Sequence, residues 1–123
     1  MSLVDSSLIS LLVRALDLTA QRQQLVAQNI ANVDTPGYHT RDIDFRGELQ
    51  RALWAGQADP AAGGAPFVRE VPGLIERPDG NNVSIDRESL LMAGDQLQFQ
   101  TEAALLRSEF SRLQEAISGG GGQ

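Results

Sequence analysis

Two aspartates and the one histidine of the chain come closest to a reactive site. Asp42 and Asp44 are separated by one residue, and a carboxylate pair of this kind can bind Mg²⁺. Such a site also needs substrate phosphates or further oxygen ligands, which no neighbouring motif supplies. His39 and Asp42 can be combined with a serine as a hydrolytic triad, but no nucleophile elbow or oxyanion hole accompanies them. Helix capping and solvated charge account for the aspartates better, and a hydrogen-bonded surface position accounts for the histidine.

Two further segments resemble ion-binding loops only in part. Residues 79–81, Asp-Gly-Asn, begin like a calcium loop, but Val83, Ser84 and Leu90 stand where that loop requires a third ligand, a glycine and a closing glutamate. Gly63 and its neighbouring glycine lack the lysine and the strand-to-helix context of a phosphate-binding loop. The sequence therefore predicts a protein that is not an enzyme, with no catalytic, cofactor-binding or metal-binding residues.

Size and charge limit the class of protein further. The 123 residues suffice for one small domain, and the net charge of −6 does not fit the basic stripe expected of a nucleic-acid binder. The absence of cysteine excludes disulfides and thiolate metal sites. A cleaved secretory signal has a basic segment followed by an apolar one, and the N-terminus of this chain does not have that arrangement. No apolar run approaches the ~20 residues that are needed to span a bilayer. Composition alone predicts a soluble, cytoplasmic protein.

The stretch around which the chain is organised is Asn-Ile-Ala-Asn-Val-Asp-Thr-Pro-Gly-Tyr, residues 29–38, hereafter the signature. Pro36 disfavours helical angles in the residue before it, and Pro36 with Gly37 supplies the fixed and the permissive φ of a type II turn. Asn29 and Asn32 are three residues apart and share a face of the last helical turn, where they can bond free carbonyls or a neighbouring chain. The signature therefore predicts that a helix ends here.

Long helices are predicted on either side of the middle of the chain. The first covers residues 7–31, with leucines repeating every seven at Leu11, Leu18 and Leu25. The second covers residues 84–118 and carries a row of large apolar residues that we call the apolar stripe. The members of the apolar stripe are Met92, Phe99, Leu106, Phe110 and Leu113. We expect the three leucines and the apolar stripe to form the helix-pairing seam.

The region between the helices, residues 32–83, is predicted to be irregular. Helical spacing of apolar residues indicates a short helix at 44–55. Residues 56–66 have too little apolar bulk to offset their ordering entropy and are predicted to form a mobile loop. Two short β-prone runs, 67–71 and 74–77, flank a Pro-Gly turn and predict a small hairpin. At the other end of the second helix, the Gly-rich residues 119–123 are predicted to be a cap and a disordered tail.

Together these elements predict a mainly α fold, in which two long terminal helices pair as a coiled-coil-like unit within a single domain, 1–123. One pair of helices buries one seam, so apolar residues such as Leu12 and Val26, which lie beside the leucine repeat, need a further cover. We expect the chain to assemble with other protein. The alternative is an antiparallel helical hairpin that folds alone.

The signature closely resembles that of the flagellar rod and hook family of axial proteins. Residues 41–45 and 79–83 also resemble rod proteins of this family, whereas the 56–66 loop does not contribute. The chain is too short for the larger central domains of hook and distal-rod relatives. The resemblance implies a structural subunit of the proximal rod of the bacterial flagellar basal body, required for motility, whose terminal helices stack helically around the export channel and transmit torque.

Partners and location also follow from the resemblance. The partners implied are the chain itself, the rod proteins FlgC and FlgF, the adaptor FliE and the flagellar type III export gate. Export through that apparatus without a cleaved signal would place the protein in the periplasmic span of the basal body, contrary to the expectation from composition. An acidic helical export chaperone or adaptor is the alternative function, although it does not explain the Thr-Pro-Gly-Tyr turn.

The resemblance further implies that the signature sets the helix end and contacts neighbouring subunits. The residues concerned are Asn29, Ala31, Asn32, Thr35, Pro36, Gly37 and Tyr38.

Overall fold

Two long helices at the ends of the chain and a small module between them make up the fold. The computed structural model describes residues 3–55 and 64–121, with side chains described for residues 7–55 and 64–119. The elements in chain order are α1 (Leu3–Ala31), β1 (Arg41–Ile43), α2 (Phe45–Ala55), β2 (Val68–Glu70) and α3 (Ile85–Gly121). The predicted mainly α fold, with long terminal helices packed together and a small central antiparallel sheet, is confirmed.

α1 is the element on which the others pack. It runs antiparallel to α3, because its contacts descend along α3 as they ascend along α1: Thr19 meets Glu102, and Asn29 meets Glu88. α2 and β1 also pack on α1. α1 is therefore covered on several sides. Among the described elements, α3 makes extensive contacts with α1 only.

The residues of α3 that face α1 are acidic. Glu88, Asp95 and Glu102 repeat every seven residues and are all buried; we call them the acidic row. Their partners on α1 are polar, so each desolvated carboxylate receives a hydrogen bond or an ion pair. α3 is thus rotated so that the acidic row occupies the middle of the helix pair.

The leucine repeat and the apolar stripe lie beside the acidic row, and their members are buried to different extents. Leu18 is fully buried, while Leu11 and Leu25 are half-buried. Met92 and Phe99 each remain 38% exposed. Of the other members of the apolar stripe, Phe110 is 50% exposed and the two leucines are half-buried.

The strand pairing differs from the predicted hairpin. β2 pairs antiparallel with β1, with Arg41 opposite Glu70 and Ile43 opposite Val68, and not with residues 74–77. The reason lies at Arg77, whose backbone N–H donates to Asn81 O (2.8 Å) and whose guanidinium donates to Val83 O (2.8 Å). These bonds draw residues 74–77 toward the start of α3 and away from β2.

The boundaries of the helices follow local chemistry. α2 matches the prediction for residues 44–55, because the Asp44 side chain accepts from Gly47 N (3.2 Å) and caps its first turn. α1 begins at Leu3, four residues earlier than predicted. α3 continues to Gly121, past the predicted cap at Gly119, since glycine can adopt helical angles even though it favours them little. Residues 56–63 of the predicted loop and 122–123 of the predicted tail lie outside the described residues.

Candidate functional site

Asn29 is the buried centre of the signature, with 1% of its surface exposed. Its side-chain N–H groups donate to Arg41 O (2.9 Å) and to Glu88 Oε2 (3.1 Å). Its oxygen accepts from Arg41 N (3.0 Å) and from the Tyr38 hydroxyl (3.0 Å). All four hydrogen-bonding positions of the amide are therefore used. One side chain joins the end of α1 to β1, to the signature turn and to the first turn of α3.

The turn itself has the geometry predicted from Pro-Gly. Gly37 has φ +76°, and Tyr38 N donates to Thr35 O (3.2 Å), as a type II turn requires. Asn32 closes the helix end, because its N–H group donates to Gln28 O (2.8 Å) and its oxygen accepts from the Thr35 hydroxyl (3.1 Å). The side chain of Asn32 is therefore engaged within its own chain.

A distant segment, residues 79–83, holds the turn in place and is called here the locking segment. Asn81 is fully buried, and its amide donates to Asn32 O (2.9 Å) and to Thr35 O (2.8 Å). Gly37 N donates in turn to Asp79 O (2.9 Å). The Asp-Gly-Asn cluster, which resembles part of a calcium loop, thus binds carbonyls of the turn that follows α1.

Gly80 allows the two segments to approach closely. It has φ +86°, which disfavours any residue with a Cβ. A Cβ built there would lie 3.2 Å from Gly37 Cα and 3.5 Å from Gly37 N, which are backbone atoms and cannot rotate away. The contact between the signature and the locking segment therefore favours glycine at residue 80 for two separate reasons, the positive φ and the close approach to Gly37.

Charged side chains connect α1, β1 and α3 close to the signature. Arg22 donates to both carboxylate oxygens of Asp42 (3.0 Å each) and lies 3.8 Å from Asp95. Arg87 bonds Glu88 (2.7 Å) and approaches Asp42 (4.0 Å). Asp42, considered above as one member of a magnesium pair, is thus neutralised by arginine.

Asp95 is the least satisfied member of this cluster. Its Oδ2 atom is buried and has no hydrogen-bond partner among the described residues. Burial raises the pKa of the Asp95 carboxyl, and the charge of Arg22 opposes that shift only in part. An ionised Asp95 therefore costs folding free energy at neutral pH.

Comparison with known proteins identifies the family. The family model described as "Flagella basal body rod protein" matches residues 9–39, which cover most of α1 and the signature turn. The FlgB rod protein of Salmonella typhimurium is 37% identical to this chain, over 86% of this chain and 89% of the relative. FlgB of Cereibacter sphaeroides (strain ATCC 17029) is 40% identical, over 86% and 90%.

The chain belongs to the FlgB family of flagellar basal-body rod proteins.

Members of this family are structural subunits of the rod rather than enzymes, which confirms the predicted class of function and places this chain in the basal body of the bacterial flagellum. The family model and the FlgB relatives give no support to the alternative of an export chaperone. Within residues 3–55 and 64–121, no helix is long and apolar enough to cross a membrane.

The signature residues of this FlgB-family chain divide into an inner and an outer set. Asn29 belongs inside the chain, because its side chain is buried and fully bonded. Asn32 and Tyr38 are half-buried, and burial raises the pKa of the Tyr38 hydroxyl. The outer set is exposed and consists of Ala31, Thr35, Pro36 and Gly37.

Sequence reasoning missed two parts of the site. The locking segment resembles rod proteins in sequence, but that resemblance does not indicate that Asn81 binds the turn after α1. The acidic row is not apparent when the apolar residues of α3 are used to predict its buried face. Acidic residues at seven-residue spacing are the sequence signal for it, since Glu88, Asp95 and Glu102 are followed at the same interval by Glu109.

Proposed function

We propose that this chain is a subunit of the proximal rod that assembles helically around the export channel and transmits torque through side-by-side contacts of its terminal helices. The observation that carries the proposal is the apolar surface that α3 leaves uncovered. Because the acidic row takes the middle of the pair with α1, large apolar groups of α3 lie at its sides. Those more than half exposed include Leu90, Leu97, Leu105 and Ile117.

Exposed apolar groups along several turns of a helix indicate a contact with another protein. A copy of the same chain, or another rod component, meets this need because axial subunits lie side by side along their helices. The leucines of α1, Leu11, Leu18 and Leu25, border the intrachain seam in this proposal. The apolar stripe serves both the intrachain seam and the contact between subunits.

The outer set of the signature is the second proposed contact surface. Its four residues are exposed, and the locking segment holds their backbone in one conformation. A rigid exposed turn loses little conformational freedom on binding, which favours a specific contact. Asn29 supports this surface from within.

The proposed partners are further copies of this chain, FlgC, FlgF, FliE and the flagellar type III export gate. We further propose export through the type III apparatus without a cleaved signal, followed by incorporation in the periplasmic span of the rod. Support comes from membership of the rod family together with the uncovered surface of α3.

Complementation of a strain that lacks this gene tests the assembly proposal. Phe110→Glu introduces a carboxylate into the apolar stripe at a residue that is 50% exposed. Burying that charge against a neighbouring subunit costs several kcal/mol, so we expect basal bodies without a complete rod and no swimming. Ser108→Glu is the matched control, because it adds the same charge at an exposed polar residue of the same helix; electron microscopy should show normal rods.

Circular dichroism of both purified variants separates assembly from folding. We expect the same helical content in each, since Phe110 is not a core residue of the chain. Normal rods and swimming with Phe110→Glu would contradict the proposed role of the apolar stripe. The outer set can be tested separately, because the chain has no cysteine. Thr35→Cys labelled with a benzophenone maleimide should cross-link to a neighbouring subunit in purified rods on irradiation, because benzophenone inserts into C–H bonds of any nearby residue. The absence of any cross-link would contradict a contact there.

A further inference from the structure

His39 links two segments that follow it in the chain. Its Nδ1 atom lies 3.1 Å from Glu70 Oε2, on β2, and its Nε2 atom lies 3.1 Å from Glu76 Oε1. Glu76 belongs to residues 71–77, which we call the clamp loop. The imidazole therefore bridges the sheet and the clamp loop through both of its nitrogens.

The clamp loop is anchored at its ends and weakly held between them. Val71 N donates to Thr40 O (2.9 Å) and Arg77 N donates to Asn81 O (2.8 Å). Among the described residues, the bond from His39 to Glu76 is the one hydrogen bond that holds residues 72–76. Ile75, next to Glu76, is 90% exposed and adds little packing.

The charges that face the imidazole are both negative. They are Glu70 from β2 and Glu76 from the clamp loop. The neighbouring cations are directed elsewhere, since Arg69 lies 3.9 Å from Asp44 and the guanidinium of Arg77 bonds the Val83 carbonyl. Arg41 stands opposite Glu70 in the strand register and is the one cation that β1 adds nearby.

We propose that His39 is a proton-dependent clamp, which holds the clamp loop against the sheet when the imidazole is protonated and releases it when the imidazole is neutral. An imidazolium donates from both nitrogens, so it satisfies both carboxylates. A neutral imidazole donates from one nitrogen and presents a lone pair at the other, which then faces a carboxylate oxygen at 3.1 Å. One of the two contacts must open.

The contact to Glu76 is the one expected to open. Glu70 lies on a strand whose backbone is paired with β1, whereas Glu76 lies in the clamp loop. The hydrogen bonds to Glu70 and then to Glu76 raise the pKa of His39 above its ordinary value of 6.5. The clamp is therefore closed at a pH well below the raised pKa and opens as the pH rises through it.

Release of the clamp loop changes a surface beside the signature. The clamp loop forms one wall of a hollow of about 610 Å³, and the start of α3 forms another. The apolar residues that line this hollow include Val33, Leu74, Ile75, Val83 and Ile85. The inference goes beyond the proposed role in rod assembly, because it makes the shape of this surface depend on pH whether or not the surface contacts another subunit.

Nuclear magnetic resonance of the full chain tests the clamp. His39 is the single histidine, so its ring signals are assigned without ambiguity and give its pKa directly. We expect a pKa above 6.5 in the unaltered chain and a lower one in Glu76→Gln. We also expect slower exchange of the Val71 and Arg77 amides, whose hydrogen bonds anchor the clamp loop, below this pKa than above it, after correction for the intrinsic pH dependence of exchange.

The two measurements must agree quantitatively. Each unit by which Glu76→Gln lowers the pKa corresponds to a tenfold change in the opening of the clamp loop between the two protonation states. His39→Gln should abolish the pH dependence of exchange, while Glu115→Gln, which removes an exposed charge on α3, should leave it intact. An ordinary pKa for His39, or the same pH dependence of exchange in His39→Gln, would overturn the proposal.

Discussion

Replacement of Asn29 by alanine is expected to cost more stability than any other truncation in the signature. The change removes three hydrogen bonds to neutral groups, two with the backbone of Arg41 and one with the Tyr38 hydroxyl. It also removes one hydrogen bond to the buried carboxylate of Glu88. At about 1 kcal/mol for each neutral bond and about 1.5–3 kcal/mol for the charged one, the expected loss is about 4.5–6 kcal/mol, less whatever the freed partner groups recover by hydrogen bonding to water.

The control for this experiment lies three residues further along the chain, just past the end of α1. Asn32→Ala removes two local bonds, to Gln28 O and to the Thr35 hydroxyl, at the surface, so we expect a loss of about 1–2 kcal/mol. Urea denaturation of the dilute full chain, followed by circular dichroism, gives both free energies of unfolding. If Asn29→Ala costs no more than Asn32→Ala, the assignment of Asn29 as the centre of the site is wrong.

Asn29→Asp distinguishes lost hydrogen bonds from lost volume. The change replaces a donor by a carboxylate oxygen 3.1 Å from Glu88 Oε2, so two like charges meet in a buried place. We expect this variant to be less stable than Asn29→Ala at neutral pH and to recover as the pH falls and one carboxylate becomes protonated. A second change, Glu88→Gln, should restore part of the loss at neutral pH. Equal stability of Asn29→Asp and Asn29→Ala at all pH values would refute the direct contact with Glu88.

Three other substitutions are expected to shift stability by smaller amounts. Gly80→Ala combines a positive φ with a close approach to Gly37 and should cost about 2–4 kcal/mol, whereas Gly73→Ala has a similar φ in open space and should cost about 1–2 kcal/mol; equal losses in urea denaturation would exclude a close approach. Asp95→Asn should stabilise the chain at neutral pH, because the raised pKa of Asp95 means that the folded chain is penalised once the pH exceeds that pKa. The gain should shrink on acidification toward the ordinary pKa of 3.8, and a loss of stability in Asp95→Asn at neutral pH would show instead that the ion pair with Arg22 dominates.

Features that depend on near neighbours in the chain could be predicted from the sequence. The type II turn follows from Pro36 and Gly37, whose backbone preferences act whatever surrounds them. The short helix after the signature follows from its apolar spacing and from Asp44, which caps it. The two long helices follow from periodicity over many residues, which local variation does not obscure. These are short-range effects, and each residue contributes its own preference.

Pairings between distant residues were decided only by the tertiary structure. β-prone residues cannot indicate which strand they will join, so the choice of β1 over residues 74–77 depended on Arg77 being held at the locking segment. Asn81 bonds the carbonyl of Asn32 in the turn after α1, 49 residues earlier in the chain, and no local pattern encodes that contact.

The rotation of α3 shows the same limit most clearly. Its apolar stripe and its acidic row lie four residues apart, so they are adjacent on the helix surface, and periodicity alone favoured the apolar one as the seam. The structure turns the acidic row toward α1, where Thr19, Arg22 and Asn29 supply the donors that the carboxylates need. The sequence by itself determined that α3 would be a long amphipathic helix. The donors on α1 determined which side of α3 is buried, because buried carboxylates need polar partners, whereas apolar groups can be covered by any apolar surface.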